Sequence, residues 1–257
     1  MRALLLGEGN SDLGSQNTMS GFRLGAIGEL FFGILRDKVD PSYQDENPAF
    51  LNPECWMQIL SKQDFHNFVP KKDPRAPKSS TPKLEKKFSK TQQSLVALAV
   101  KMVHYAKENG FDFCVFFKDA DQSKSTELLD ALQAGFRSYG HVALVPQPTS
   151  EVWLISGYLK DHPSQMRGEL KDAILEDYVT GNDNSNRSGK RILGKLLHGK
   201  DGEPTGAEES EIVSCMLENR TWEKVELPSF CCAVDQIEEV AAEIGNYRYG
   251  SVETETI

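Results

Sequence analysis

The chain has 257 residues, 39% hydrophobic and 26% charged, with a formal net charge of −9. That balance suits a globular protein of one large domain and argues against a disordered or fibrous chain. No run of about 18 apolar residues occurs, so no membrane span is expected, and the short apolar stretch in MRALLLGEGNSD is too brief for a secretory signal. The five cysteines have irregular spacing and form no CxxC, so neither a disulfide framework nor a zinc site is favoured, and a cytoplasmic location is expected.

Residues 2–7 (RALLLG) read as a short buried strand that runs into Glu8, a carboxylate between two glycines, with Asp12 four positions on. Residues 19–38 space Phe22, Ile27, Leu30, Phe31, Ile34 and Leu35 as one amphipathic helix would. Residues 40–88 are rich in Pro, Asn, Asp and Lys and read as an inserted excursion, with WMQIL at 56–60 as a short strand or helical turn. Within it, residues 70–90 hold eight Lys/Arg against Asp73 and Glu85, a local +6. Such a segment is either a solvated loop or a phosphate contact through Lys71, Lys72 and Arg75.

A helix is expected over 91–110, capped by Thr91 and stopped by Gly110. DFCVFF (112–117) reads as a central strand, KSTELLDALQAGFRSYG as a helix ended by Gly140, and HVALVP (141–146) as a third strand. Alternating strands and helices imply crossover units and a mainly parallel sheet. From Ser150, a candidate cap, amphipathic segments follow at SEVWLISGYLK, GELKDAILEDYV, RSGKRILGKLL, ESEIVSCMLEN and DQIEEVAAEIG, separated by the loops GNDNSNRSG and HGKDGEPTG. The expected organisation is an α/β domain over 1–160, with its excursion at about 40–90, and a helical C-terminal region over 161–257.

The chemistry gathers where strands end. FFKDADQS places Asp119 and Asp121 just past a buried strand, and in extended backbone such a pair points the same way. Buried neighbouring carboxylates repel unless a cation sits between them, and Mg²⁺ favours oxygen ligands of this kind. Open parallel sheets gather ligands at the carboxyl ends of their strands. Glu8 and Asp12 follow the first strand and Glu151 follows the third, which makes five acids at one edge. Each signal alone has a bland reading: a turn for Glu8, a cap for Asp119 and Asp121, and a helix-dipole partner for Glu151. Their force lies in three acidic signals at three successive strand ends. The five histidines are scattered and form no HxxxH spacing.

GEGNSD after the first strand, DAD after a later one and PTSEVW after the third resemble the Toprim domain of topoisomerases, primases and OLD-type nucleases, and the small stand-alone Toprim proteins in particular. The resemblance spans residues 3–37 and 95 to about 200. It departs in Gly7, where an apolar residue usually precedes the Glu, and in the length of the excursion. It implies a Toprim-like (Rossmann-like) fold, Mg²⁺ or Mn²⁺ as cofactor and phosphodiester cleavage of nucleic acid, most simply DNA. It further implies Asp119 and Asp121 as ligands of one metal with Glu8 at or near it, and Glu8, Asp12 and Glu151 completing a second site, Glu8 being alternatively a general base acting through water. Lys190 then neutralises transition-state charge. A partner ATPase and a place in phage defence belong to the same implication. Two alternatives stand beside it. One is a non-catalytic module that binds metal and nucleic acid. The other is a haloacid-dehalogenase-type phosphatase, which KDADQS loosely matches but which leaves Glu8 without a role.

Overall fold

The computed structural model describes residues 1–7, 12–17, 21–61, 65, 88–166, 170, 174–200 and 202–250, with backbone alone at 17, 61 and 245–250. Its centre is a four-stranded, wholly parallel sheet. The strands are β1 (Ala3–Gly7), β4 (Met57–Ser61), β5 (Phe113–Phe117) and β6 (His141–Leu144), in the order β4-β1-β5-β6. Leu5 of β1 lies opposite Ile59 on one side and Val115 on the other, and Val115 lies opposite Val142.

Helices cover both faces, which is why β1 and β5 are apolar throughout rather than alternating. The period-2 geometry of a strand sends Leu4 and Leu6 into one core and Ala3 and Leu5 into the other. The first core is closed by α3 (Lys90–Glu108) and α4 (Ser125–Phe136) through Leu95, Ala99, Met102, Leu128 and Leu132. The second is closed by α1 (Ala26–Lys38) and α5 (Glu151–Asp161), then continues into α8 (Gly206–Glu218) and α9 (Pro228–Gly250) through Met216, Phe230 and Ile237. Between them lie the short α2 (Pro41–Glu46) and α6 (Leu175–Tyr178) and the ten-residue α7 (Gly189–His198). The chain is therefore an α/β protein with a helical C-terminal region. Leu5 is fully buried between two strands, and truncating it to Ala would cost about 3 kcal/mol.

Several boundaries differ from the sequence expectation. Residues 19–38 are not one helix: β2 (Gly14–Asn17) and β3 (Gly21–Leu24) form an antiparallel hairpin before α1 begins at Ala26. Gly14 explains the break, because its φ is +110° and a Cβ there would lie 2.1 Å from the Arg23 carbonyl. The excursion supplies β4, an edge strand of the sheet whose Ile59 N–H donates to Gln16 Oε1 of the hairpin at 3.3 Å. Ser89, not Thr91, caps α3. Its hydroxyl accepts from the Gln92 N–H and the Gln92 side chain accepts from the Ser89 N–H, a reciprocal pair that Thr91 has no Glu/Gln partner to make. Helix α4 stops at Arg137, with φ +56°, ahead of Gly140. Within GELKDAILEDYV, the described helix is confined to Leu175–Tyr178. Among the described residues no helix is long and apolar enough to cross a membrane.

Candidate functional site

The C-terminal rim of the sheet is built by two loops that stay zipped after their strands end. Beyond β5 and β6 the chain keeps pairing through Lys118 N–H to Leu144 O (3.1 Å), Ala120 N–H to Pro146 O (3.0 Å) and Asp121 N–H to Pro148 O (2.9 Å). This brings Asp119 beside the start of α5, where the Ser150 N–H donates to its Oδ1 at 2.8 Å. The Ser150 hydroxyl donates to Asp12 Oδ1 at 3.4 Å, which ties the segment after β1 to the same point. Asp12 is also held by its backbone, its carbonyl accepting from Gly28 N–H of α1 at 3.0 Å. Glu151 follows Ser150 and is buried in the first turn of α5.

The start of α7 closes the site from the helical region. A Cβ on Gly189 would stand 2.8 Å from Thr149 Oγ and 2.9 Å from the Glu151 Cβ, so only glycine allows this approach. The next residue, Lys190, is thereby placed to act on Glu151 and Asp12. Thr149 Oγ is buried without a hydrogen bond of good geometry, yet it lies close enough to favour the ionised form of Glu151.

Burial pushes the Asp119 carboxyl up to about 8, and the charges of Glu151 and then Asp12 add to it against the Ser150 N–H. Glu151 is also raised by burial, with Thr149, its own N–H and Lys190 opposing and Asp12 reinforcing. Burial works against the Lys190 ammonium, but Glu151, Asp183, Glu203 and Asp12 outweigh it, and its pKa rises. A further acid joins from α8: Glu209 is pushed up to about 7 by burial, then by Glu151 and Asp12.

The structure thus brings together Asp12, Asp119, Glu151 and Lys190 of the sequence-derived set. Asp121 departs from expectation. The backbone turns at this residue (φ +53°), so the same-side rule for extended chain does not apply. Its carboxylate is exposed and lies 3.6 Å from Lys118 Nζ. It contributes least among the acids that act on Asp119. Glu8, Lys71, Lys72 and Arg75 lie outside the described residues. Among the described residues no three His, Cys, Asp or Glu side chains converge tightly enough to hold a metal ion by themselves. The acids share one field without meeting at one point.

Sequence reasoning missed Glu209 and the bridging role of Ser150. Glu209 had a local signal, since Thr205-x-x-Glu208 is a capping box that fixes it in the first turn of a helix. Nothing local indicates that this turn faces the sheet rim. No family model, curated protein or solved structure matches the chain.

Proposed function

We propose that the rim is the metal-binding centre of a Toprim-like nuclease and that the chain cleaves phosphodiester bonds in nucleic acid with Mg²⁺ or Mn²⁺. The observation that carries this reading is the crowding of acids from four separate segments: Asp12 raises the proton affinity of Asp119, Glu151 and Glu209, and Glu151 raises that of Asp119 and Glu209. A fold gains nothing in stability from such crowding. Each buried carboxylate destabilises the chain unless a proton or a cation compensates it. A divalent ion bound there would lower the pKa of an attacking water and stabilise the leaving oxygen. Asp119, Asp12 and Glu151 offer hard oxygen donors of the kind these ions prefer, and Glu8 is expected to join them from the end of β1. Lys190 is the cation suited to a non-bridging phosphate oxygen. DNA is the preferred substrate in this reading. The basic stretch with Lys71, Lys72 and Arg75 is its proposed docking segment, and a partner ATPase and a role in phage defence remain part of the proposal.

The test is to incubate the purified chain with supercoiled plasmid and Mn²⁺ or Mg²⁺, with and without EDTA. Nicking that needs the metal and disappears in Asp119→Asn supports the nuclease. A metal-dependent gel shift with intact plasmid replaces it with the binding module. Hydrolysis of p-nitrophenyl phosphate with intact plasmid would favour the phosphatase.

A further inference from the structure

A second polar locus lies at the other end of the sheet from the rim, where the chain enters β6. This strand is at the sheet edge, and α9 packs along it. The Ala143 N–H donates to Gln236 Oε1 at 2.9 Å, and Gln236 Nε2 donates to the Cys232 carbonyl at 3.1 Å. Between the end of α4, the start of β6 and α9 there is a cavity of about 350 Å³, within the size range of small-molecule sites. His141 lines it. Its ring is stacked on Phe136 with centroids 4.5 Å apart, and its Nδ1 lies 2.9 Å from the Tyr139 carbonyl. A carbonyl only accepts, so Nδ1 carries the proton and the neutral ring has Nε2 as an acceptor. Burial lowers the pKa of this ring, against the Tyr139 carbonyl, Glu239 and Glu243, and keeps it neutral at pH 7.

Glu239 and Glu243 stand one turn apart on α9 and line the same cavity. Both act on His141, and Glu243 Oε2 lies 3.3 Å from where a Gly140 Cβ would stand, so its carboxylate reaches over the entry to β6. The end of α4 supplies a cation on the facing wall, Arg137. Glu239, Glu243 and Arg137 are all exposed, and among the described residues none of them is in an ion pair. Charges of opposite sign thus border one cavity without neutralising each other, which suits a ligand with a cation at one end and an anion at the other. Several separate acceptors on the α9 side call for a cation with several donors, and a planar guanidinium has five N–H groups in a fixed fork. We propose that this cavity binds a small molecule with a guanidinium at one end and a carboxylate at the other. Glu239, Glu243 and His141 Nε2 take the guanidinium, and Arg137 takes the carboxylate. The site is separate from the rim and independent of the nuclease reading.

The probe is 4-guanidinobutyrate, titrated into the full chain by calorimetry while the His141 ring resonances are followed by NMR. The expected result is saturable binding with a Kd below about 1 mM and a shift of the His141 resonances. Two relatives of the probe separate its ends. 4-Ureidobutyrate has the same shape with a neutral head and should bind at least about tenfold more weakly. Propylguanidine lacks the carboxylate and should bind about fivefold more weakly. Glu239→Gln combined with Glu243→Gln should weaken 4-guanidinobutyrate by at least about tenfold. Both acids are exposed and unpaired, so the melting temperature of this variant should match that of the native chain. No saturable binding overturns the proposal, and so does equal binding of 4-ureidobutyrate. Undiminished binding by the double variant also overturns it, since the probe would then sit elsewhere. Propylguanidine binding as tightly as 4-guanidinobutyrate overturns the two-ended ligand, because Arg137 would have no part in recognition.

Discussion

Strand β5 has an aspartate at each end, and the two are treated in opposite ways. Asp112, just before the strand, is exposed and accepts the Arg2 N–H at 2.6 Å. The Arg2 guanidinium lies over the Phe111 ring at 4.5 Å and donates to the Asn109 carbonyl at 2.7 Å. That end of the sheet is satisfied and carries ordinary structural polarity. Asp119, just after the strand, feels the charges of Glu151 and Asp12, and Lys190 acts on Glu151 and Glu209 rather than on Asp119 itself. The same strand thus ends in a paired acid on one side and a crowded one on the other. The contrast teaches where the chain gives up stability, and buried acids held in mutual repulsion mark a functional site more reliably than acids that are paired.

The contrast is sharpened most by Asp119→Asn. The folded carboxyl titrates at about 8 against an ordinary 3.8. Below 3.8 both folded and unfolded chains hold the proton, and the group costs nothing. Between 3.8 and about 8 the unfolded chain ionises first, so the folded state loses stability as pH rises, and above about 8 the loss is complete. Asparagine removes that loss while its Oδ1 still accepts from Ser150. We expect stabilisation of up to about 6 kcal/mol at the alkaline end, fading to nothing at the acidic end. Urea unfolding across that pH range checks it, and a pH-independent difference would break the contrast.

Gly189→Ala should act next most strongly and in the opposite direction. The added methyl would press on Thr149 and Glu151, costing about 2 kcal/mol and moving Lys190 away from the acids. Thermal unfolding together with plasmid nicking reads both effects. Glu209→Gln should stabilise by about 1 kcal/mol above pH 7 after discounting for solvent screening, with the gain lost as pH falls toward the ordinary value of 4.5. The smallest effect belongs to the paired end. Asp112→Asn should destabilise by less than about 1 kcal/mol, in a way that shrinks with added salt. A stabilising Asp112→Asn would erase the distinction between the two ends.

How much of this could be read in the residues follows from what is local. β1, β5 and β6 are continuous apolar runs, and the helices between them have clear periodicity, so the parallel sheet and the helical C-terminal region follow directly. The hairpin at Gly14–Leu24 was hidden because Phe22 falls in phase with the α1 stripe, while the positive φ of Gly14 goes with a close approach to Arg23 and Leu24 on the opposite strand. At the rim, Asp12, Asp119 and Glu151 were legible because each follows a strand. The orientation of Asp121 was not legible because it depends on a turn held by the Pro148 carbonyl of another loop. Glu209 and Ser150 act across elements distant in sequence, and no spacing rule connects them to the acids.

The most direct measurement is a Mn²⁺ titration of the native chain and of Asp119→Asn, followed by electron paramagnetic resonance at neutral pH. Saturable binding by the native chain, lost or strongly weakened in Asp119→Asn, is the result expected of a metal centre at the crowded rim. No saturable Mn²⁺ binding by the native chain, or equal binding by both proteins, would contradict it.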